Sequence, residues 1–188
     1  MGKNMNRYRR ESCRAPWWDY GEIGHYFITI NTKSRCPFFG RIDHGVMVLS
    51  EIGQVAYQEW QRTPEVRPSM NLTLGEFIVM PDHFHAIISI GETSMHTMNH
   101  PLCWRENMKD DDLLISKAYN QNKCFGPQRS NLSSIIRGFK SAVTTKAKKM
   151  GVSHFGWQNL FYDRIIRNRN EFEAISRYIQ NNPKKWKK

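Results

Sequence analysis

The stretch "LTLGEFIVMPDHFHAIISI" (72–90) decides the fold, because it contains two apolar, strand-like runs separated by a turn at Pro81. The first run is rich in β-branched and aromatic residues, which favour strands, and the proline stops it. The second run (83–90) has the same character and is predicted to be the antiparallel neighbour of the first. This prediction leaves His83 and His85, two imidazoles in an otherwise apolar strand, to be explained.

The segments on either side of this hairpin predict further strands and helices. Apolar residues spaced three and four apart indicate helices, and short β-branched runs indicate strands. In chain order, the sequence predicts a strand (23–32), a helix (50–62), the two strands of 72–90, a helix (131–150), a strand (159–167) and a helix (170–183). Residues that can cap a helix precede each helical pattern, namely Ser50, Asn131 or Ser133, and Asn170 with Glu173 as a capping box. This order predicts an α+β fold with helices packed on a mostly antiparallel sheet.

The length and composition are those of a globular protein. The 188 residues are 39% hydrophobic and 12% aromatic, which is enough apolar material for a sizeable core. We therefore expect a single domain over residues 1–188. Residues from about 91 to 130 are polar and aperiodic and are expected to form a long loop insertion, and residues 184–188 form a basic tail.

The chain is strongly basic. Its 28 lysine and arginine residues against 17 acidic residues give a formal net charge of +11. An excess of this size favours a polyanionic partner, most often nucleic acid. A basic protein without such a partner remains the alternative on charge alone.

The sequence does not predict secretion, a disulfide framework or membrane insertion. The four cysteines lie far apart and form no C-x-x-C pair, so reduced thiols are expected. The basic N-terminus lacks the apolar stretch of a signal peptide, and no apolar run approaches the roughly 20 residues of a membrane span. The expected location is therefore the cytoplasm, with no membrane association.

His83 and His85 share one face of their predicted strand, because residues two apart on a strand point the same way. Two imidazoles side by side can hold one divalent cation, and histidine is the commonest metal ligand. Phe84 and Ala86 are then expected to point into the core from the opposite face. A pair of exposed strand histidines without a ligand is the alternative that this pattern leaves open.

The last predicted helix carries Tyr178 and Asn182, four residues and about one helical turn apart, beside an apolar stripe. A helix packed on the sheet by that stripe can bring a phenol and a carboxamide to the two histidines. Tyr178 would supply a nucleophile, and the carbonyl oxygen of Asn182 a third ligand for Mg²⁺ or Mn²⁺. Taken singly, Tyr178 is better explained by packing, and Asn182 by a helix C-cap before Pro183.

Several segments together resemble one protein family. "MPDHFHAII" (80–88) resembles the HUH motif, two histidines around a hydrophobic residue, of single-tyrosine transposases. "RYIQNNP" (177–183) resembles their tyrosine helix in the form found in REP-associated tyrosine transposases. The resemblance extends, in the same order along the chain, to "RRESCRAPWWDYGEIGHYFITINTKSR" (9–35), "LSSIIRGFKSAVT" (132–144) and "WQNLFYDRIIRN" (157–168).

This resemblance implies a ferredoxin-like or RRM-like antiparallel sheet with helices packed on it. It implies that His83 and His85 ligate a divalent metal, Mg²⁺ or Mn²⁺. It further implies Asn182 as a third ligand and Tyr178 as the nucleophile. The implied activity is metal-dependent cleavage and rejoining of single-stranded, hairpin-bearing DNA through a 5′-phosphotyrosine intermediate. The implied assembly is a monomer or a homodimer.

Other residues are candidates for contacts with DNA or for the chemistry. The basic side chains that could meet phosphates are Arg137, Lys140, Lys146, Lys184 and Lys185. The tryptophans that could stack on bases are Trp17, Trp18 and Trp157. Tyr162 is a rival nucleophile, although its predicted strand offers no Asn or Gln one helical turn away.

Two other classes of function remain open on the sequence. One is a non-catalytic, single-stranded nucleic-acid-binding module derived from a transposase, which would keep the basic surface without needing the histidines and the tyrosine together. The other is a metal-dependent hydrolase that uses water as its nucleophile. Such a hydrolase requires further acidic or histidine ligands, and none stands out in the sequence.

Overall fold

The structure, a computed structural model, describes residues 23–91 and 131–186. The expected loop insertion lies outside these residues except at its first position, as do the N-terminal segment with its two tryptophans and the end of the basic tail. The strands are β1 (Gly24–Asn31), β2 (Gly40–Asp43), β3 (Val46–Leu49), β4 (Thr73–Met80), β5 (His83–Ile90) and β6 (Tyr162–Ile166). The helices are α1 (Glu51–Gln61), α2 (Leu132–Lys149), α3 (Arg169–Gln180) and α4 (Asn182–Lys185).

Four of the strands form one antiparallel sheet in the spatial order β4-β5-β1-β6. β4 and β5 are the predicted hairpin, paired from Thr73 opposite Ser89 to Met80 opposite His83. With α1 after β1 and α2 after β5, the main elements follow the order βαββαβ, which is the arrangement of a ferredoxin-like fold. The predicted α+β fold, an antiparallel sheet with helices packed on it, is confirmed.

Different helices cover the two faces of the sheet, because successive strand residues point to opposite sides. On one face, Phe84 and Ala86 of β5 join a buried core with residues of α1 and α2, as predicted. On the other face, Ile87 of β5 packs with Ile179 of α3. The two histidines of β5 have the parity of Ile87, so they lie on the face that α3 covers.

Two of the three predicted helix starts are capped by the residues that the sequence indicated. The Ser50 side chain accepts a hydrogen bond from the backbone of α1, and Asn131 forms a capping box at the start of α2. The predicted capping box at Asn170 is wrong, because Asn168 is the N-cap of α3 and accepts from the backbone N–H of Glu171 at 2.8 Å. α3 also ends at Gln180, earlier than predicted, and the chain begins the one-turn helix α4 around Pro183.

β2 and β3 form a short separate hairpin that the sequence analysis did not predict. Its turn has positive φ at both His44 (47°) and Gly45 (77°), the combination that two-residue hairpin turns require. α4 lies close to this turn, since a Cβ built on Gly45 would be 3.8 Å from the Cα of Lys184. The hairpin therefore lies against the segment that follows α3.

The described residues bear on two further expectations. No helix among them has the length and apolar character needed to cross a bilayer. The one cysteine that lies within residues 23–91 and 131–186 is Cys36, and it is an exposed free thiol. The other three cysteines lie outside those ranges.

Candidate active site

β5 places His83 and His85 side by side on the sheet face that α3 covers. Their ring centroids are 4.5 Å apart, with the ring planes inclined by 73°. Both residues are buried, each with 5% of its surface exposed. The predicted common orientation of the two imidazoles is thus present, and the alternative of an exposed histidine pair is wrong.

The carboxylate of Asp82 fixes the orientation of the His83 ring. Its Oδ1 is 2.7 Å from Nδ1 of His83, and its Oδ2 is 3.2 Å from Nε of Arg35. An ionised carboxylate can only accept hydrogen bonds, so Nδ1 of His83 carries the hydrogen and donates it. Arg35 is held in turn by the side-chain oxygen of Asn31. This arrangement turns Nε2 of His83, the nitrogen that could bind a metal, away from the carboxylate.

The hydroxyl of Thr29 plays the corresponding part for His85. Thr29 lies opposite His85 in the β1–β5 ladder, and its Oγ1 is 2.8 Å from Nδ1 of the ring. When Nδ1 carries the hydrogen and donates it to Thr29, Nε2 presents its lone pair on the other side of the ring. Burial, together with the charges of His83 and Arg35, lowers the pKa of His85 from 6.5 to about 3. The ring is therefore neutral at neutral pH, which is the form that binds metals.

α3 brings the hydroxyl of Tyr178 to His85. The distance from Tyr178 Oη to His85 Nε2 is 3.4 Å, and the ring centroids are 5.4 Å apart. The apolar stripe of the helix packs against Phe27 and its neighbours, which leaves Tyr178 at the edge of this contact with 45% of its surface exposed. Phe27 supports both rings, stacking on His85 at 5.5 Å and meeting Tyr178 edge-on at 6.1 Å. Two imidazoles and a phenol therefore meet at one point on the sheet.

Asn182 does not share a continuous helix with Tyr178. The sequence analysis placed both on one helix a turn apart, and this was wrong because α3 ends at Gln180 and Asn182 is the first residue of α4. The residue is half-buried. Its role as a third metal ligand stays a prediction. The segment that follows reaches the site, since the ring of Trp186 lies 5.5 Å from that of His83.

The two histidines at this point can supply two of the ligands of a divalent cation. Within residues 23–91 and 131–186, no group of three or more His, Cys, Asp and Glu residues could hold a metal ion. His83 and His85 would therefore supply the imidazole ligands, with Nδ1 of each ring occupied by a hydrogen-bond partner. Amide, water or phosphate oxygens would complete the shell, as is usual for Mg²⁺ and Mn²⁺.

Tyr162 lies on the same face but farther from the histidines. It is opposite Thr29 in the β1–β6 ladder, so one strand separates it from His85. Its ring meets Phe27 edge-on at 6.4 Å, and half of its surface is exposed. The structure thus favours Tyr178 over Tyr162 as the residue whose hydroxyl reaches the histidine pair.

Two of the lysines proposed for DNA contacts are engaged inside the fold. Nζ of Lys140 donates to the backbone carbonyls of Gln158 (2.6 Å) and Asn159 (3.2 Å), and burial lowers the pKa of this lysine. Nζ of Lys146 is 2.5 Å from Oε1 of Glu59 on α1. Both lysines lie on α2, which packs on the face of the sheet opposite to the histidines. These contacts indicate that the two side chains have a structural role.

The remaining basic candidates differ in their position. Arg137 is exposed on α2, whereas Lys184 and Lys185 are exposed on α4, close to the tryptophan that covers His83. Their contacts with DNA stay predictions. Trp157 is half-buried: its ring packs against Phe39 of the core, and its Nε1 donates to the backbone carbonyl of Lys140. These contacts give the ring a structural role, and its stacking on bases stays a prediction.

The sequence analysis missed four residues that shape the site, namely Phe27, Thr29, Arg35 and Asp82. Asp82 directly precedes His83, so an acidic residue next to a candidate metal ligand was the available signal. Phe27, Thr29 and Arg35 belong to β1 and the turn after it, and only the register between β1 and β5 reveals that they meet the histidines. No local pattern in the sequence carries that register.

Comparison with known proteins identifies a relative along nearly the whole chain. The sequence is 34% identical over 183 residues to an uncharacterized protein of Haemophilus influenzae, and the match covers 97% of this chain and 93% of that protein. The chain belongs to the same family as this protein. No family model matches the sequence.

A comparison with solved structures finds a transposase with a similar fold. The structure of a REP-associated tyrosine transposase bound to a REP hairpin superposes with a TM-score of 0.53 and 18% sequence identity. The superposition covers 93% of this chain and 73% of the transposase chain. This chain therefore has a transposase-like fold, in agreement with the resemblance that the sequence motifs indicate.

Proposed function

We propose that the protein is a metal-dependent, single-tyrosine transposase of the HUH type that cleaves and rejoins single-stranded, hairpin-bearing DNA. The observation that carries this proposal is the 3.4 Å distance between Tyr178 Oη and His85 Nε2, beside the ring of His83. The chain also shares its fold with a REP-associated tyrosine transposase bound to a REP hairpin; this is an analogy of fold, and the geometry of the site carries the proposal. The net charge of +11 is of the sign that a DNA substrate requires.

Tyr178 is the nucleophile of the proposed reaction. Its oxygen attacks the scissile phosphorus, the bond from phosphorus to the 3′ oxygen breaks, and that oxygen leaves with a proton as a free 3′-hydroxyl. The product on the enzyme is a 5′-phosphotyrosine. Because one phosphodiester replaces another, the step is reversible, and a second 3′-hydroxyl can attack the intermediate and join two strands.

The chain's own residues prepare the tyrosine for attack. A neutral phenol is a weak nucleophile and needs a base or a positive charge beside it. The Tyr178 hydroxyl lies 3.4 Å from Nε2 of His85, so a cation held by that nitrogen would lie beside the phenol oxygen and would stabilise its deprotonated form. Phe27 packs against both rings and, with the helix stripe, keeps water from the buried side of the site.

The two histidines would hold the cation through their Nε2 atoms, while Asp82 and Thr29 keep the rings in position. A divalent cation bound there would draw negative charge from the phosphate and stabilise the transition state. Arg35 places a positive charge next to Asp82. Its guanidinium is half exposed.

The test is a cleavage assay with labelled, hairpin-bearing single-stranded DNA and Mn²⁺, analysed on a denaturing gel. We expect the wild-type protein to form a covalent DNA adduct and Tyr178→Phe to form none, with DNA affinity nearly unchanged. Tyr57→Phe is the matched control, because Tyr57 is an exposed tyrosine of α1 on the opposite face of the sheet.

The other outcomes of the assay separate the two rival functions. Cut strands without an adduct would indicate a hydrolase that uses water. Binding without any cleavage, in Mg²⁺ as well as Mn²⁺, would indicate a non-catalytic nucleic-acid-binding module. Either result would contradict the proposal.

A further inference from the structure

An exposed aromatic surface lies beside the histidine pair. It is formed by the ring of Tyr162, which is 50% exposed and contacts the buried ring of Phe27 at 6.4 Å. We infer that this surface, here called the Tyr162 shelf, is a stacking site for a nucleobase of the nucleotide next to the scissile phosphate. The inference rests on the proposed function of the neighbouring site and adds to it a binding subsite for the substrate strand.

The sheet register places the shelf at a suitable distance from the chemistry. His85, Thr29 and Tyr162 are direct cross-strand neighbours on β5, β1 and β6, and so stand in one row on the same face. With adjacent strands about 4.8 Å apart, the backbone of Tyr162 is roughly 10 Å from that of His85. A phosphate held at the histidines would therefore have the base of an adjoining nucleotide above the shelf.

The helix that covers this face of the sheet leaves Tyr162 exposed. α3 covers the centre of this face through Ile179, which packs on Phe27, Ile87 and Ile166, but Tyr162 lies at the end of the edge strand with half its surface exposed. Its hydroxyl is not needed for the reaction if Tyr178 is the nucleophile. An aromatic ring with an open face beside a phosphate site is how single-stranded nucleic acids are held without sequence preference.

Two observations favour a nucleobase over a protein surface at the Tyr162 shelf: its contact with the proposed phosphate site and the charge of the chain. The shelf adjoins the proposed phosphate site through Phe27, which touches Tyr162, Tyr178 and His85. The next residue on the same face of β6 is Arg164, whose side chain is 58% exposed and forms an ion pair with Glu171. The whole chain is cationic, with a net charge of +11. A second copy of such a chain would be repelled, whereas a DNA strand would be attracted.

The test compares two probes that differ only in their bases: a fluorescein-labelled oligothymidylate, and a strand of the same length made of abasic deoxyribose phosphates. The ratio of the two affinities, from fluorescence anisotropy, isolates the contribution of the bases. The full-length protein is measured as wild type and as Tyr162→Ala, Tyr162→Leu and Tyr162→Phe. Tyr57→Ala is the control, since Tyr57 is 40% exposed on the opposite face.

We expect Tyr162→Ala to weaken oligothymidylate binding about 5- to 150-fold, the range for loss of one base stack, and to leave the abasic strand unaffected. Tyr162→Leu should behave alike, because it keeps apolar bulk on β6 but has no ring. Tyr162→Phe should keep the preference for bases, because stacking needs the ring and not the hydroxyl. Tyr57→Ala should bind both probes as the wild type does.

Three results would overturn the inference. One is an equal change for both probes in Tyr162→Ala and Tyr162→Leu, or no change. Another is a loss of base preference in Tyr162→Phe. The third is a smaller mass of either ring-less variant in sedimentation without DNA, which would make the shelf an interface between copies of the chain. Adduct formation by the wild type on hairpin DNA is recorded separately, so failure of the transferase proposal is visible independently of the base preference.

Discussion

Asp82 links His83 to the guanidinium of Arg35, and this one carboxylate orients a ring of the histidine pair. One of its oxygens holds Nδ1 of His83, and the other meets Nε of Arg35. Arg35 itself has a φ of 55°, a left-handed backbone conformation that costs energy for a non-glycine residue. Such strain is maintained by its surroundings, here the contacts of the arginine with Asp82 and Asn31.

We expect Asp82→Asn to lower the affinity for Mn²⁺ about 10- to 100-fold, as is usual when the partner of a metal-binding histidine is removed. The variant keeps the shape of the side chain but loses the charge that orients His83. Isothermal titration calorimetry with Mn²⁺ measures the effect, and a melting curve verifies that the variant is folded. Asp43→Asn is the control, because Asp43 is half exposed at the end of β2. Unchanged Mn²⁺ affinity in a folded Asp82→Asn protein would show that Asp82 does not orient a ligand.

The site residues that could be predicted were those whose patterns are local in the sequence. His83 and His85 are two apart on a strand, and Tyr178 stands beside an apolar helical stripe, so both patterns were readable directly. Thr29 and Arg35 were not, because their contacts depend on which residue of β1 lies opposite which residue of β5. The contact of Trp186 with His83 was equally hidden, since it follows from the path of α4 after the helix break.

The start of α3 shows how two similar signals compete within one element. Asn168 and Asn170 are each followed three residues later by a glutamate, so both fit an N-terminal capping pattern. The structure selects Asn168 because Glu171 also accepts from the backbone N–H of Arg167 (2.9 Å) and pairs with Arg164 on β6 (2.5 Å). Contacts with the sheet therefore determine where α3 begins, which helix propensity alone does not predict.

We expect Asn168→Ala to lower the free energy of unfolding by about 0.5–2 kcal/mol, because it removes the acceptor that caps α3. Asn170→Ala is the matched control and should change stability by no more than about 0.5 kcal/mol, since Asn170 is an exposed residue inside the helix. Urea unfolding measures both. A larger loss for Asn170→Ala than for Asn168→Ala would contradict the observed helix start.

The other elements were predictable in proportion to the clarity of their periodicity. The β4–β5 hairpin, α1 and α2 lie within a residue or two of their predicted positions, because their apolar spacing and caps agree. The β2–β3 hairpin was missed, since each of its strands has only four residues. The end of α3 was placed too late, because the pattern of Tyr178 and Asn182 continues past the point where the chain departs from the helix.

At the scale of the whole molecule, the sheet separates two kinds of basic residue. On α2, Lys140 donates hydrogen bonds to backbone carbonyls and Lys146 forms an ion pair with a carboxylate within the fold. Lys184 and Lys185 of α4 are exposed on the segment that runs from the tyrosine helix towards His83. The total charge of the chain thus overstates how much of it is available to DNA.

We expect the double variant Lys184→Ala, Lys185→Ala to reduce the slope of log affinity against log salt concentration by about 1.4, or about 0.7 for each lost phosphate contact with a single strand. Lys146→Ala is the control: it should lower stability by removing the partner of Glu59, while the salt slope stays the same. Anisotropy titrations with single-stranded DNA at several salt concentrations measure the slopes. A reduced slope for Lys146→Ala with none for the double variant would place the DNA on the opposite face of the sheet.

The most direct test of the central claim is to locate the covalent bond between protein and DNA. The wild-type protein is incubated with hairpin-bearing single-stranded DNA and Mn²⁺, digested with nuclease and trypsin, and analysed by tandem mass spectrometry. We predict a 5′-phosphonucleotide on Tyr178, the tyrosine whose hydroxyl is 3.4 Å from His85. A nucleotide on Tyr162, or cleaved DNA with no modified tyrosine, would contradict the account.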